Sequence, residues 1–98
     1  MIKHIVAWRI ADGEDKKKRA QDIKENLEAL KGKIPGLTDI EVGINFSETD
    51  FVSDVVLVSI FASREALEKY QNDPEHKAVR QNYVMPYVKE RRVIDYEV

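Results

Sequence analysis

Apolar residues at the start of the chain follow a two-residue rhythm. Ile2, His4, Val6, Trp8 and Ile10 alternate with Lys3, Ile5, Ala7 and Arg9. Successive side chains of a strand point to opposite faces, so this period predicts a strand over Ile2 to Ile10. Both sets contain apolar residues, and both faces are expected to be covered. Ala11-Asp12-Gly13 is a turn signal. The period then changes. Ala20, Ile23, Leu27, Leu30 and Ile34 recur at spacings of three and four, which predicts a helix from about Glu14 to Lys31 with one apolar stripe. Lys16, Lys17 and Lys18 fall on the solvated remainder and read as a wet helix face. Gly32 and Pro35 end the helix through their backbone preferences.

Ile34-Pro35-Gly36-Leu37 leads into a second strand, about Asp39 to Phe46, in which Ile40, Val42, Ile44 and Phe46 alternate with Glu41, Gly43 and Asn45. After the polar loop Ser47 to Ser53, the nearly continuous apolar run from Asp54 to Ala62 predicts a third strand buried on both faces. Ser63 is a good N-cap for a short helix carrying Ala66, Leu67 and Tyr70. Asn72-Asp73-Pro74 interrupts it. Asp73 then caps a further helix with Pro74 at its first position, which carries His76, Val79 and Tyr83 and stops near Met85-Pro86. A last strand, about Glu90 to Val98, alternates Arg92, Ile94, Tyr96 and Val98 with Arg91, Val93 and Asp95.

The order β-α-β-β-α-β predicts an α+β, ferredoxin-like domain. Its four-stranded antiparallel sheet carries both helical regions on one face. The other face is left bare. If the helices cover the Ile5/Ala7 side, the bare side presents Val6 and Trp8. Apolar surface costs roughly 25 cal/mol per Å² to leave in water. The simplest remedy is a second copy offering the same self-complementary face, so a homodimer through the open sheet face, closing into an α+β barrel, is expected.

Composition narrows the partners. At 98 residues, one domain spanning 1–98 is expected. The formal net charge of -2, with both signs interspersed, argues against a nucleic-acid binder and gives no reason to expect a membrane surface as partner. The chain contains no cysteine, which excludes disulfides, thiolate catalysis and cysteine-ligated metals. The apolar stretch at Met1 to Val6 is too short and too charged for a signal-peptide core, so a cytoplasmic protein is expected.

Several short pieces, in order, carry a resemblance. They are Lys3-His4-Ile5-Val6, Ile34-Pro35-Gly36-Leu37, Glu41-Val42-Gly43, Leu57-Val58-Ser59-Ile60-Phe61, Ala66-Leu67-Glu68-Lys69-Tyr70, Asp73-Pro74-Glu75-His76 and Ile94-Asp95-Tyr96. With these the chain resembles the stress-responsive A/B barrel domain (Dabb) family almost end to end. The resemblance implies a dimer whose two sheets form one barrel, and it does not imply one activity. Some plant members are cofactor-free polyketide cyclases that close a poly-β-keto chain by aldol condensation. Their pocket tyrosine and histidines correspond by motif position to Tyr70, His76 and His4, and Asp95 corresponds to a further polar residue nearby. Where the cyclases have a histidine on the third strand, this chain has Val55.

The residues themselves allow two readings. With Asp73 as cap, His76 occupies the third helical position. A neutral imidazole there could take a proton from carbon beside a carbonyl, and Tyr70 could donate to the developing enolate oxygen. Alternatively His76 satisfies a helix end, Tyr70 packs in the core with a wet hydroxyl, His4 lines the barrel mouth, and Asp95 pairs with Arg91, Arg92 or a backbone amide. Val6, Trp8 and Val55 are candidate pocket-lining residues. His4 and His76 show no short metal-ligand spacing. The four glycines are scattered singly and form no phosphate loop, so neither metal nor cofactor is expected. The first function this supports is a barrel of unassigned activity that binds a small apolar or carbonyl-containing ligand. The second is a cofactor-independent enzyme with His76 as base, Tyr70 as oxyanion donor, and His4 and Asp95 orienting the substrate.

Overall fold

A computed structural model describes all residues, 1–98. It contains β1 (Ile2–Ile10), α1 (Lys16–Glu28), β2 (Leu37–Ile44), β3 (Val55–Phe61), α2 (Arg64–Gln71), α3 (Pro74–Val79) and β4 (Val88–Glu97). Between α3 and β4 lies a π-helical turn, Arg80–Val84. The strands form one antiparallel sheet in the order β2-β3-β1-β4, a ferredoxin-like α+β arrangement. No helix is long and apolar enough to cross a membrane.

Parity along β1 decides which face the helices cover. Ile2, His4, Val6, Trp8 and Ile10 are buried, and they stand in one layer with Val55, Leu57, Ser59 and Phe61 of β3. The helices therefore cover the Val6/Trp8 side, the reverse of the arrangement considered from sequence. The physical reason lies at the ends of the other row. Lys3 and Arg9 share it with Ile5 and Ala7, and a charge under a helix would lose its water. The core joins this layer to the α1 stripe of Ala20, Ile23 and Leu27, continued by Leu30 and Ile34. On the open face Ile5 stands between Val58 and Ile94, and Ala7 between Val56 and Arg92, with Ile60 and Tyr96 beside Lys3.

Two expected alternations stop early. Ile44 is exposed and Phe46 lies beyond β2, 97% exposed. Asn45 turns the chain there, its Oδ1 accepting from the Ser47 N–H (3.2 Å) and Oγ (2.9 Å). β4 begins at Val88 and has no fully buried residue, because it is an edge strand beyond the reach of the helices.

Caps and close approaches hold the helices. The Ala66 N–H donates to Ser63 Oγ (3.1 Å), and Asp73 Oδ1 accepts from the N–H groups of Glu75 (2.8 Å) and His76 (3.3 Å). Gly36 has φ +82, and a Cβ there would sit 2.5 Å from Ala66 Cβ, so only glycine lets α2 approach the start of β2. At the β2 edge, α1 supplies partners for Val42. Lys24 Nζ donates to its carbonyl (2.6 Å), and Glu28 Oε2 accepts from its N–H (3.0 Å). The β4 edge carries the charged run Lys89-Glu90-Arg91-Arg92.

Candidate functional site

His4 is the strand contribution to the site. β1 parity turns it under the helices, and the register sets it directly across from Asp95 on β4. Its Nδ1 bonds to Asp95 Oδ1. An ionised carboxylate only accepts, so Nδ1 is the donor in this pair. This partner replaces the arginines expected for Asp95. Arg92 points to the opposite face, and Arg91 is four residues along the strand, roughly 13 Å away at the strand rise. Ser59, paired with His4 across β3, donates from Oγ to the His4 carbonyl at 3.2 Å.

His76 and Tyr70 are the helical contribution. The Asn72-Asp73-Pro74 break ends α2 just after Tyr70 and restarts the chain as α3, so that the two rings stack with centroids 3.9 Å apart and planes at 30°. Tyr70 also packs on Phe61 (4.9 Å) and lies edge-on to His4 (6.3 Å). The structure thus gathers His4, Asp95, Tyr70 and His76 into one cluster. Burial first, then the positive charge of Arg80 and the neighbouring His4 ring, push the His76 imidazole down to about 4, so it is neutral at pH 7. Burial pushes the Tyr70 phenol up, leaving its hydroxyl a donor.

Three buried side-chain polar atoms have no hydrogen-bond partner in the molecule: Tyr70 Oη, His76 Nδ1 and Arg80 Nε. All three belong to the same helical region. Buried polar atoms are nearly always paired, because each one left unsatisfied costs about 1–3 kcal/mol. Beside them opens a cavity of about 180 Å³. Val6, Trp8, Leu27 and Leu57 form its apolar wall, and His4 and His76 face it. Tyr70 stands behind His76 rather than on the lining. Val55 is buried beside Trp8 in the core, and Leu57, one inward position further along β3, lines the cavity in its place.

Sequence reasoning did not place Arg80, Arg91 or Gln71 at the site, naming Arg91 only as a partner for Asp95; these three complete the polar lining with His4 and His76. A signal for Arg80 was present, since it follows His76 by four residues on the same helical face. Its final placement depends on the π-helical turn. There the Met85 N–H donates to the Arg80 carbonyl (2.8 Å), and Arg80, Val84 and Met85 all reach the cavity. Such turns recur at functional sites. No three His, Cys, Asp or Glu side chains converge as a metal-holding group. The donor set is one of imidazoles, guanidiniums and an amide around an apolar wall, suited to hydrogen-bonding a small organic ligand.

Comparison with known proteins settles the family. The stress responsive A/B barrel domain description matches residues 2–98. The chain belongs to that family. A dimeric ferredoxin-like protein of unknown function from Bacteroides fragilis is 31% identical to this A/B barrel chain, with a TM-score of 0.89 over 99% of this chain and 95% of the other. A Dabb family protein with a ferredoxin-like fold from Mesorhizobium loti is 25% identical, with a TM-score of 0.76 over 99% and 95%. The hydroxynitrile lyase of Passiflora edulis shares the A/B barrel protomer's fold at 16% identity, with a TM-score of 0.81 over 97% and 90%. No curated protein sequence matches the chain significantly.

Proposed function

We propose that this A/B barrel protein is a homodimer joined through its open sheet faces, and that the cavity beside His76 binds one small carbonyl-containing ligand. The observation that carries the ligand reading is that two of the molecule's three unpartnered buried polar atoms, His76 Nδ1 and Arg80 Nε, belong to residues lining one cavity, with Tyr70, which holds the third, stacked behind His76. A neutral imidazole there can hydrogen-bond a carbonyl group without first giving up a charge. Size sets the ligand class. An apolar cavity of about 150 Å³ holds benzene, so 180 Å³ suits a single ring or a short diketone. The dimer reading rests on the open face of Ile5, Val56, Val58, Ile60, Ile94 and Tyr96, and on the Bacteroides fragilis relative described as dimeric.

The test is a ligand-detected NMR titration with pentane-2,4-dione against the wild type and His76→Ala. Saturable binding that His76→Ala weakens by about tenfold is expected for loss of a buried hydrogen bond and its contacts. No binding by the wild type at millimolar diketone would sink the ligand reading.

A second reading has its own support in the His4–Asp95 pair. A carboxylate that fixes the imidazole tautomer leaves Nε2 as a proton acceptor, the logic of an oriented general base. In that reading His4 joins His76 in moving a proton from carbon beside the carbonyl, with Tyr70 supporting the pair through its stacked ring and protonated hydroxyl. Exchange of the diketone's methylene protons for deuterium, faster with wild type than with Asp95→Asn or His76→Ala, is its expected signature.

A further inference from the structure

The arginines of the molecule divide into paired and unpaired ones. Arg9 pairs with Glu90, Arg19 with Asp15 and Arg64 with Glu97. Arg80, Arg91 and Arg92 make no ion pair. Arg92 sits on the open face, whereas Arg80 and Arg91 both line the cavity. They arrive from different elements, Arg80 from the π-helical turn and Arg91 from β4 opposite Trp8. No aspartate or glutamate lines the cavity, and the nearest one in register, Asp95, is already engaged by His4. Arg80 Nε is moreover buried without a partner.

A guanidinium presents a planar fork of donors that matches a carboxylate in two parallel hydrogen bonds. Two such groups without a counter-charge, in a pocket walled by Trp8, Val6 and Leu57, define an anion site with an apolar floor. We infer that the ligand of this cavity is a small carboxylate with an apolar or aromatic body, its carboxylate taken by Arg80 and Arg91 and its body laid against Trp8. This rests on reading the cavity as a ligand site and adds the ligand's charge to that reading. The apolar wall also favours such a ligand over a bare inorganic anion, whose hydration the wall cannot replace.

The test compares benzoate with benzamide, which has the same shape without the charge, by isothermal titration at low salt. Pentane-2,4-dione and inorganic phosphate serve as separate probes. Benzoate is expected to bind about tenfold or more tightly than benzamide. Arg91→Gln, at an exposed position that leaves the fold untouched, and Arg80→Gln are each expected to bring the two ligands close to equal affinity. Equal affinity of the wild type for benzoate and benzamide, with the diketone still bound, would overturn the carboxylate inference and leave the ligand site standing. A benzoate preference that survives both substitutions would overturn it too, as would phosphate displacing benzoate at equal concentration. Binding of none of the organic probes would instead remove the ligand site itself.

Discussion

The two faces of the sheet solve opposite problems. Under the helices the apolar side chains are closely packed, Ile23, Phe61 and Tyr70 being wholly buried, yet the same layer leaves polar atoms unpaired. On the open face the charged residues can reach water, while Ile94 and Tyr96 remain exposed on the edge strand β4, beside the apolar row of Ile5, Val58 and Ile60. A face that is apolar and uncovered calls for another apolar face. A pocket whose polar atoms are unmet calls for a small molecule with complementary atoms. On the proposed reading one sheet divides its work, with association on one side and recognition on the other.

The sharpest way to break the contrast is to empty the covered face. Phe61→Ala removes a ring packed against Tyr70 and is expected to cost about 3–5 kcal/mol, read from urea unfolding. On the open face Val58→Asp places a like charge on both copies across a two-fold axis. It is expected to convert the dimer to monomer in sedimentation velocity while the helical circular dichroism is retained. A dimer that survives Val58→Asp would mean association through another surface.

A third test uses pH to probe the recognition side alone. The His76 imidazole titrates at about 4 when folded against 6.5 when free, so as pH falls the unfolded chain takes up the proton first. Stability from the neutral imidazole is therefore whole above 6.5 and is lost as pH drops towards 4, by on the order of 2 kcal/mol. His76→Gln is expected to flatten that part of the pH–stability curve, measured by urea midpoints between pH 7 and pH 4. A wild-type curve no steeper than the variant's there would show that the ring is hydrated. The smallest effect belongs to Ile94→Ala, on an edge strand with little covering it. In the isolated protomer it is expected to change stability by less than about 0.5 kcal/mol.

Much of this division was legible in the chain. The two-residue rhythm of β1 and the Ala20–Ile23–Leu27 stripe depend only on local geometry, and both appear in the fold. Which side of β1 meets the helices was harder, because both rows hold apolar residues. The charged ends Lys3 and Arg9 decide it only once the whole layer is assembled. Ile44 and Phe46 continued the β2 alternation on paper, but the Asn45 turn cuts it off through side-chain hydrogen bonds that periodicity does not register. At the site, the position of His76 after its Asp73 cap follows from short-range rules. The pairing of Asp95 with His4 needs the β1–β4 register, a long-range property. Arg80 and Arg91 stayed hidden for the same reason, one placed by a π-helical turn and the other by an edge strand whose burial pattern carries no signal.

The treatment of the two sheet edges has a consequence for assembly. An uncovered edge offers free backbone donors and acceptors to any passing strand, and pairing of that kind has no natural end, since each added sheet exposes a new edge. Here Lys24 and Glu28 already occupy the outward backbone groups of Val42, and the opposite edge begins with four consecutive charges, Lys89 to Arg92. Strand addition is disfavoured on both flanks, and the proposed contact through the apolar face would be complete after two copies.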